Sequence, residues 1–128
     1  MRTVMVDINK EWTPDECNQL IIQLATEFST TIPRFAINER AKPGTFSTKY
    51  RISDRKFIWT KITLAKYLWT GVYTAHGLKL YTSKEQRLMA TLHECSHMVI
   101  RSFHPVTNIG HGLAFQKAER HLLRRFGW

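Results

Sequence analysis

Apolar residues recur with helical spacing in three stretches of the chain. Cys17, Leu20, Ile21, Leu24 and Phe28 fall on one face of a 3.6-residue repeat. Thr13-Pro14-Asp15-Glu16 precedes them. It supplies an N-cap hydroxyl, a proline at the first helical position and an acidic first turn. Thr30-Thr31-Ile32-Pro33 closes that helix. Leu88, Leu92, Cys95 and Val99 step by four, three and four and predict a second buried stripe. Ser83 with Gln86, or Thr82 with Glu85, offers it a capping box, and no Gly or Pro interrupts it before Pro105. Phe115, Ala118, Leu122 and Phe126 predict a last helix, opened by His111-Gly112.

Between the first two helices the period changes to two. Phe35 and Ile37, Tyr50 and Ile52, and the run Phe57-Ile58-Trp59-Thr60-Lys61-Ile62 read as strands. Lys42-Pro43-Gly44 and Ser53-Asp54-Arg55 read as turns. Residues 62–69 suit either a strand or a short helix. Residues 71–74 and 78–81 could pair as a hairpin around Ala75-His76-Gly77. Val4, Val6 and Ile8 share one side of an edge strand or an ordered tail. The pattern predicts one α+β domain over residues 1–128. A small, mostly antiparallel sheet packs on the second long helix.

Composition narrows the class. The 128 residues are 43% hydrophobic and 23% charged, as in globular domains. No apolar run is long enough for a membrane span. Asp7 interrupts the apolar start too early for a signal peptide, so a cytoplasmic or nucleoid- or nucleus-associated protein is expected, not a secreted one. Cys17 and Cys95 both fall on apolar stripes and read as free, buried thiols. The net charge of +9 is uneven. Residues 1–39 hold three Lys/Arg against six Asp/Glu, net −3; residues 40–128 hold sixteen against four, net +12. Such a charge fits a polyanion, because each neutralised phosphate releases counterions. Trp59, Lys61, Lys66 and Trp69 interleave rings and cations, as a single-strand groove does. Aromatics at that period could equally form one face of a sheet.

The second long helix carries His93-Glu94-Cys95-Ser96-His97. Residues four apart sit one turn above another, so the two imidazoles can share one Zn²⁺. Glu94 then lies where it can take a proton from the metal's water. Met89 belongs to the same stripe as the histidines, beside the buried one. Cys95 projects to a different side of the helix. A catalytic zinc needs a third protein ligand. The metzincin spacing would want Gly at position 100 and His at 103, where this chain has Ile100 and Phe103. Glu119 on the last helix and His104 in the loop are possible ligands. His76 and His121 look incidental. His111 is the strongest candidate, because it heads the core-facing stripe four residues before Phe115.

His93-Glu94-x-x-His97, a loop, and then His111-Gly112-x-x-Phe115 together resemble the SprT-like family, which includes the Spartan proteases of DNA–protein crosslinks. The glycine-containing strand at 70–74, the short strand at 78–81 and the motif helix follow in the order of that family. The likeness covers residues 12–128 by element order and 70–115 by motif. The resemblance implies a minimal zincin-like metalloprotease fold. It implies Zn²⁺ on His93, His97 and His111, and Glu94 as general base. It also implies a protein substrate associated with or crosslinked to DNA. No Cys-x-x-Cys pair follows the last helix, so the zinc ribbon of many relatives has no counterpart, and DNA contacts are expected on this domain itself. Tyr73, His76 and Arg101 are candidates for stabilising the oxyanion. A rival reading from another class is a basic nucleic-acid-binding protein whose zinc is structural or catalytically inactive.

Overall fold

The computed structural model describes residues 10–39, 42–75, 78–81, 84–105 and 110–128. In chain order the elements are α1 (Pro14–Glu27), β1 (Arg34–Asn38), β2 (Gly44–Arg51), β3 (Lys56–Ala65), α2 (Tyr67–Thr70), β4 (Val72–Ala75), β5 (Leu78–Tyr81), α3 (Glu85–Phe103) and α4 (Leu113–Arg125). The chain is therefore α+β. The edge strand or tail expected around Val4, Val6 and Ile8 lies outside the described residues.

α1 starts as its sequence dictates. The Glu16 N–H donates to the Thr13 hydroxyl, and the Thr13 N–H donates to the Glu16 carboxylate, each at 3.2 Å. That reciprocal capping box satisfies two backbone donors that the first turn leaves open. Cys17, Leu20, Ile21 and Leu24 are buried along one face, with Phe28 half-buried behind them. α3 begins at Glu85 after Lys84, whose side chain makes no cap. The expected capping residues Thr82 and Ser83 lie outside the described residues. The predicted stripe is nevertheless the centre of the core: Leu88, Leu92 and Cys95 are fully buried and Val99 nearly so. Cys17 and Cys95 are free and buried. Burial pushes both thiols above the usual range, which suits core packing.

The main sheet has the order β1-β3-β2. β2 and β3 pair antiparallel across a turn at residues 52–55, where Arg55 adopts a positive φ of 52° and its N–H donates to the Ile52 carbonyl. β1 pairs parallel with β3, Phe35 opposite Ile62 and Ile37 opposite Leu64. This sheet is thus mixed rather than mostly antiparallel. The reason is topological: the hairpin returns β3 into the space between β2 and β1, leaving β1 running with β3. The expected hairpin around residues 76–77 forms, with Val72 opposite Tyr81 and Ala75 opposite Leu78. The ambiguous stretch at 62–69 divides, β3 running to Ala65 and α2 starting at Tyr67. Gly71 ends α2 at φ 79°, a left-handed position that glycine takes without steric cost.

Phe35, Ile37, Phe46, Ile62 and Leu64 bring one face of the sheet onto the helices and join a core with α1, α3 and α4. Among the described residues no helix is long and apolar enough to cross a membrane. α4 is tied to α1 by Arg125, whose guanidinium donates to both carboxylate oxygens of Glu27 at 2.5 and 3.0 Å. The Arg87 side chain donates to the Leu68 carbonyl at 2.7 Å and ties α3 to α2.

Candidate metal centre

α3 turns its buried stripe into the core, so the neighbouring stripe emerges at the edge of the sheet. His93 and His97 are half-buried there, and Met89 on the same stripe is exposed. The chain then reverses, and His111 arrives just ahead of α4, whose N-cap is Gly112. The Gln116 side-chain amide donates to the His111 carbonyl at 3.0 Å and holds that turn.

The three imidazoles converge through their Nε2 atoms. His111 Nε2 is 3.1 Å from His97 Nε2 and 3.2 Å from His93 Nε2. Nitrogens bound at 2.0–2.1 Å around a tetrahedral metal would stand roughly 3.3 Å apart, so the spacing already fits one ion. These three residues form the group, among those described, that could hold a metal ion. Phe115 builds the wall behind them. Its ring stacks on His97 with centroids 4.3 Å apart, and it meets His93 and His111 at 4.9 Å each. Desolvation, with His93 and His111 as neighbours, lowers the His97 pKa to about 4. Its ring is therefore neutral at pH 7, the form that binds a metal.

Glu119 has a different role from the ligand considered above. Its Oε2 lies 2.6 Å from His93 Nδ1. A carboxylate only accepts, so the proton sits on Nδ1, which donates to Glu119. The lone pair of Nε2 is thereby aimed at the other two imidazoles. His111, Phe115 and Glu119 step by four, so one side of α4 and its lead-in supplies ligand, wall and orienting carboxylate. The step by four could have suggested the grouping, but the bond to a residue 26 positions earlier left no local signal.

Glu94 is buried, with 4% of its surface exposed. It lines the same cavity as the three histidines, about 1030 Å³ in volume and bounded by α3, α4 and the start of β2. Gly44 presses on it: a Cβ there would stand 3.0 Å from Glu94 Cγ and 3.1 Å from Oε2. The sequence marks Gly44 only as part of a turn, and nothing local announces that its missing side chain makes room for a carboxylate 50 positions later. Phe46, Tyr67, Leu68, Met89, Ala90 and Leu123 give the cavity an apolar lining. Among the described residues β2 lies at one side of the sheet order, and Lys42, Pro43, Gly44, Thr45 and Phe46 at its start border the cavity.

The remaining candidates stand elsewhere. His104 is exposed at the end of α3, its N–H donating to the Ile100 carbonyl, and His121 is exposed on α4. Arg101 is half-buried on α3. His76 and the Tyr73 side chain lie outside the described residues. Trp59 and Lys61 share one face of β3, and both are half-buried. Lys66 is exposed at the start of α2 and pairs with Glu39 at 3.7 Å. Trp69 packs against the core, and its indole N–H donates to the Trp12 carbonyl at 2.7 Å. The structure therefore groups Trp59 with Lys61 and gives Trp69 a packing role.

No family model matches this chain, and neither the curated proteins nor the solved structures contain a match.

The geometry predicts that His111→Ala abolishes stoichiometric metal binding. Glu119→Ala should keep one site but weaken it by about 10–100-fold, the usual cost of losing an orienting partner. Zinc titration against a competing chelator checks both. Equal affinity in Glu119→Ala and the parent would mean that the carboxylate does not orient His93.

Proposed function

We propose that this chain is a zinc-dependent metalloendopeptidase of SprT-like type, acting on proteins associated with or crosslinked to DNA. The observation that carries the reading is the meeting of three Nε2 atoms in an open cleft that a buried glutamate also lines. Three histidines would leave a bound zinc ion open to water or substrate, as in catalytic zinc sites and unlike closed structural ones. Among the described residues no fourth donor joins the group, which favours an enzyme over the rival reading of a structural zinc.

A zinc ion held by His93, His97 and His111 would supply Lewis acidity to a substrate carbonyl and lower the pKa of a water toward neutrality. The rest is the work of the chain. Glu94 takes the proton of the attacking water and delivers it to the nitrogen of the departing amine. Glu119 keeps the His93 ring in the tautomer that offers Nε2. The start of β2 lines the cleft together with the histidines, so an extended substrate peptide would lie between β2 and α3. The apolar walls around Phe46, Met89 and Leu123 would be covered by a bound substrate, which displaces water there and strengthens the local electrostatics. The DNA half of the reading is supported by the net charge of +12 on residues 40–128.

Glu94→Gln is expected to bind zinc and melt as the parent does, while cleavage of a DNA-bound basic protein falls by about 10²–10⁴-fold. The amide nearly matches the carboxylate in shape but cannot take the proton. Cleavage at the parental rate would remove Glu94 from the mechanism. No cleavage by the zinc-loaded parent, with or without DNA, would favour the rival reading.

Gly44→Ala tests the same carboxylate from the other side. The new methyl displaces Glu94 or Leu64, both 3.0 Å from it. Zinc affinity should stay within about twofold of the parent, while turnover falls roughly 10–100-fold, since small misplacements of a catalytic group cost that much. Unchanged turnover would show that Glu94 tolerates displacement and does not need its observed position.

A further inference from the structure

The face of the sheet turned away from the helices carries a second cluster. Ile62 and Leu64 point into the core, so Trp59 and Lys61, at alternate positions of β3, point the other way. Lys49 is the cross-strand partner of Trp59, and Lys61 lies between Ser47 of β2 and Arg34 of β1. Partners directly opposite one another share a face. Trp59 thus shares one face with Lys49 directly opposite, Lys61 two residues along β3, and Arg34 beside Lys61 on β1.

Several observations set this cluster apart from an ordinary solvated surface. No acidic residue alternates onto that face: its other positions are Ala36, Asn38, Thr45, Ser47, Thr63 and Ala65, of which Thr63 and Ala65, at the far end of β3 from Trp59, are buried. Among the described residues, none of Arg34, Lys49 and Lys61 makes an ion pair, whereas Lys66, Lys84, Arg51 and Arg125 all do. Trp59 does not belong to the hydrophobic core, although Trp12 and Trp69 both pack there. Three cations that make no ion pair among the described residues thus share a face with a large ring that the core does not use.

We infer that this face, built on Trp59, Lys49, Lys61 and Arg34, is a stacking platform for single-stranded nucleic acid. The inference deepens the DNA half of the function proposed above and rests on it. The cations supply the phosphate contacts, and the indole supplies the π-face on which an unpaired base stacks. A sheet face with one aromatic favours single strands over duplex, because a paired base already has both faces stacked. Acidic peptides would satisfy the lysines but leave the indole without a planar partner. Nothing on this face resembles a helix that could enter a groove and read base edges, so sequence preference should be slight.

The platform is tested by fluorescence anisotropy of the zinc-loaded protein with labelled oligothymidylate and with a labelled duplex. Three neutralised phosphates give a slope of log K against log salt of about −2 for single strands. Trp59→Ala should weaken the single strand about tenfold and the duplex little, and Trp59→Phe should recover most of the loss. The double variant Lys49→Ala/Lys61→Ala should lower both the affinity and the salt slope. It carries the test alone if Trp59→Ala melts at lower temperature than the parent. Lys117→Ala/Arg120→Ala removes two exposed cations from α4 and serves as the charge-matched control. The platform is overturned if the sheet variants bind like the parent, if the α4 control loses as much, or if poly-glutamate competes as well as unlabelled oligothymidylate. Cleavage of an unstructured protein is scored separately. A protein that binds as predicted but cleaves nothing would sink the peptidase and keep the platform; one that cleaves while Trp59→Ala binds normally would do the reverse.

Discussion

One buried stripe on α3 determines where His93, Glu94 and His97 can stand. Leu88, Leu92 and Cys95 are fully buried against α1 and the sheet. An α-helix advances about 100° per residue, so fixing that stripe fixes the direction of its neighbours. His93 and His97 are left at the margin between core and cleft. Glu94 follows His93 by one residue and is carried deeper, against the backbone of β2. Packing supplies this rigidity before any metal arrives. Each imidazole that approaches another as a free cation would be repelled, and desolvation with two neighbouring rings holds His97 neutral. The cost of assembling three basic groups is met by the apolar core beneath them and by the ring of Phe115 beside them.

α4 is the counterpart that completes the site. Its own apolar stripe, Phe115, Leu122 and Phe126, is buried, and Arg125 grips Glu27 at the end remote from the histidines. That pairing is bidentate and the arginine is largely shielded from water, the geometry in which an ion pair has directional value. The docking of α4 therefore sets both His111, just before its first turn, and Glu119, in its second. A ligand and the carboxylate that orients another ligand are positioned by one rigid element. The imidazole tautomers and the approach of the third nitrogen are thereby linked to the same packing.

Much of this was legible in the chain. Helix starts and stripes are local properties, and α1, α3 and α4 lie where Thr13-Pro14, the Leu88-to-Val99 series and the Phe115-to-Phe126 series put them. The hairpin of β4 and β5 was legible for the same reason, its partners being only a few residues apart. The histidine triad was legible as chemistry, since two of its members share a helix face. The parallel pairing of β1 with β3 was not, because it depends on which side of β3 the β2 hairpin falls. Gly44 beside Glu94 and Glu119 beside His93 were hidden for a related reason: each contact joins residues far apart in sequence. The two tryptophans show the limit well. Trp59 and Trp69 carry the same ring and similar cationic neighbours in sequence, yet Trp69 donates to a core carbonyl and Trp59 faces away from the core. Only the fold distinguishes them.

β2 connects the two surfaces on which the functional reading depends. Gly44 and Phe46 turn toward the cleft, whereas Ser47 and Lys49 belong to the opposite face of the sheet. A strand alternates its side chains between faces, so one short segment can serve two ligands that never touch. Under the proposed assignments, a nucleic-acid strand on the outer face and a peptide in the cleft beside β2 would be bound at once. Neither would have to displace the other, and both would be registered to the same backbone. Such an arrangement needs no moving part to restrict cleavage to proteins held near a nucleic acid. It raises the local concentration of the tethered protein at the cleft, and an effective concentration in the millimolar range (about that of a short flexible tether) would let a weak peptide site suffice. A cleft with broad apolar walls beside the histidines suits such a division of labour: selection by proximity on one face, chemistry on the other.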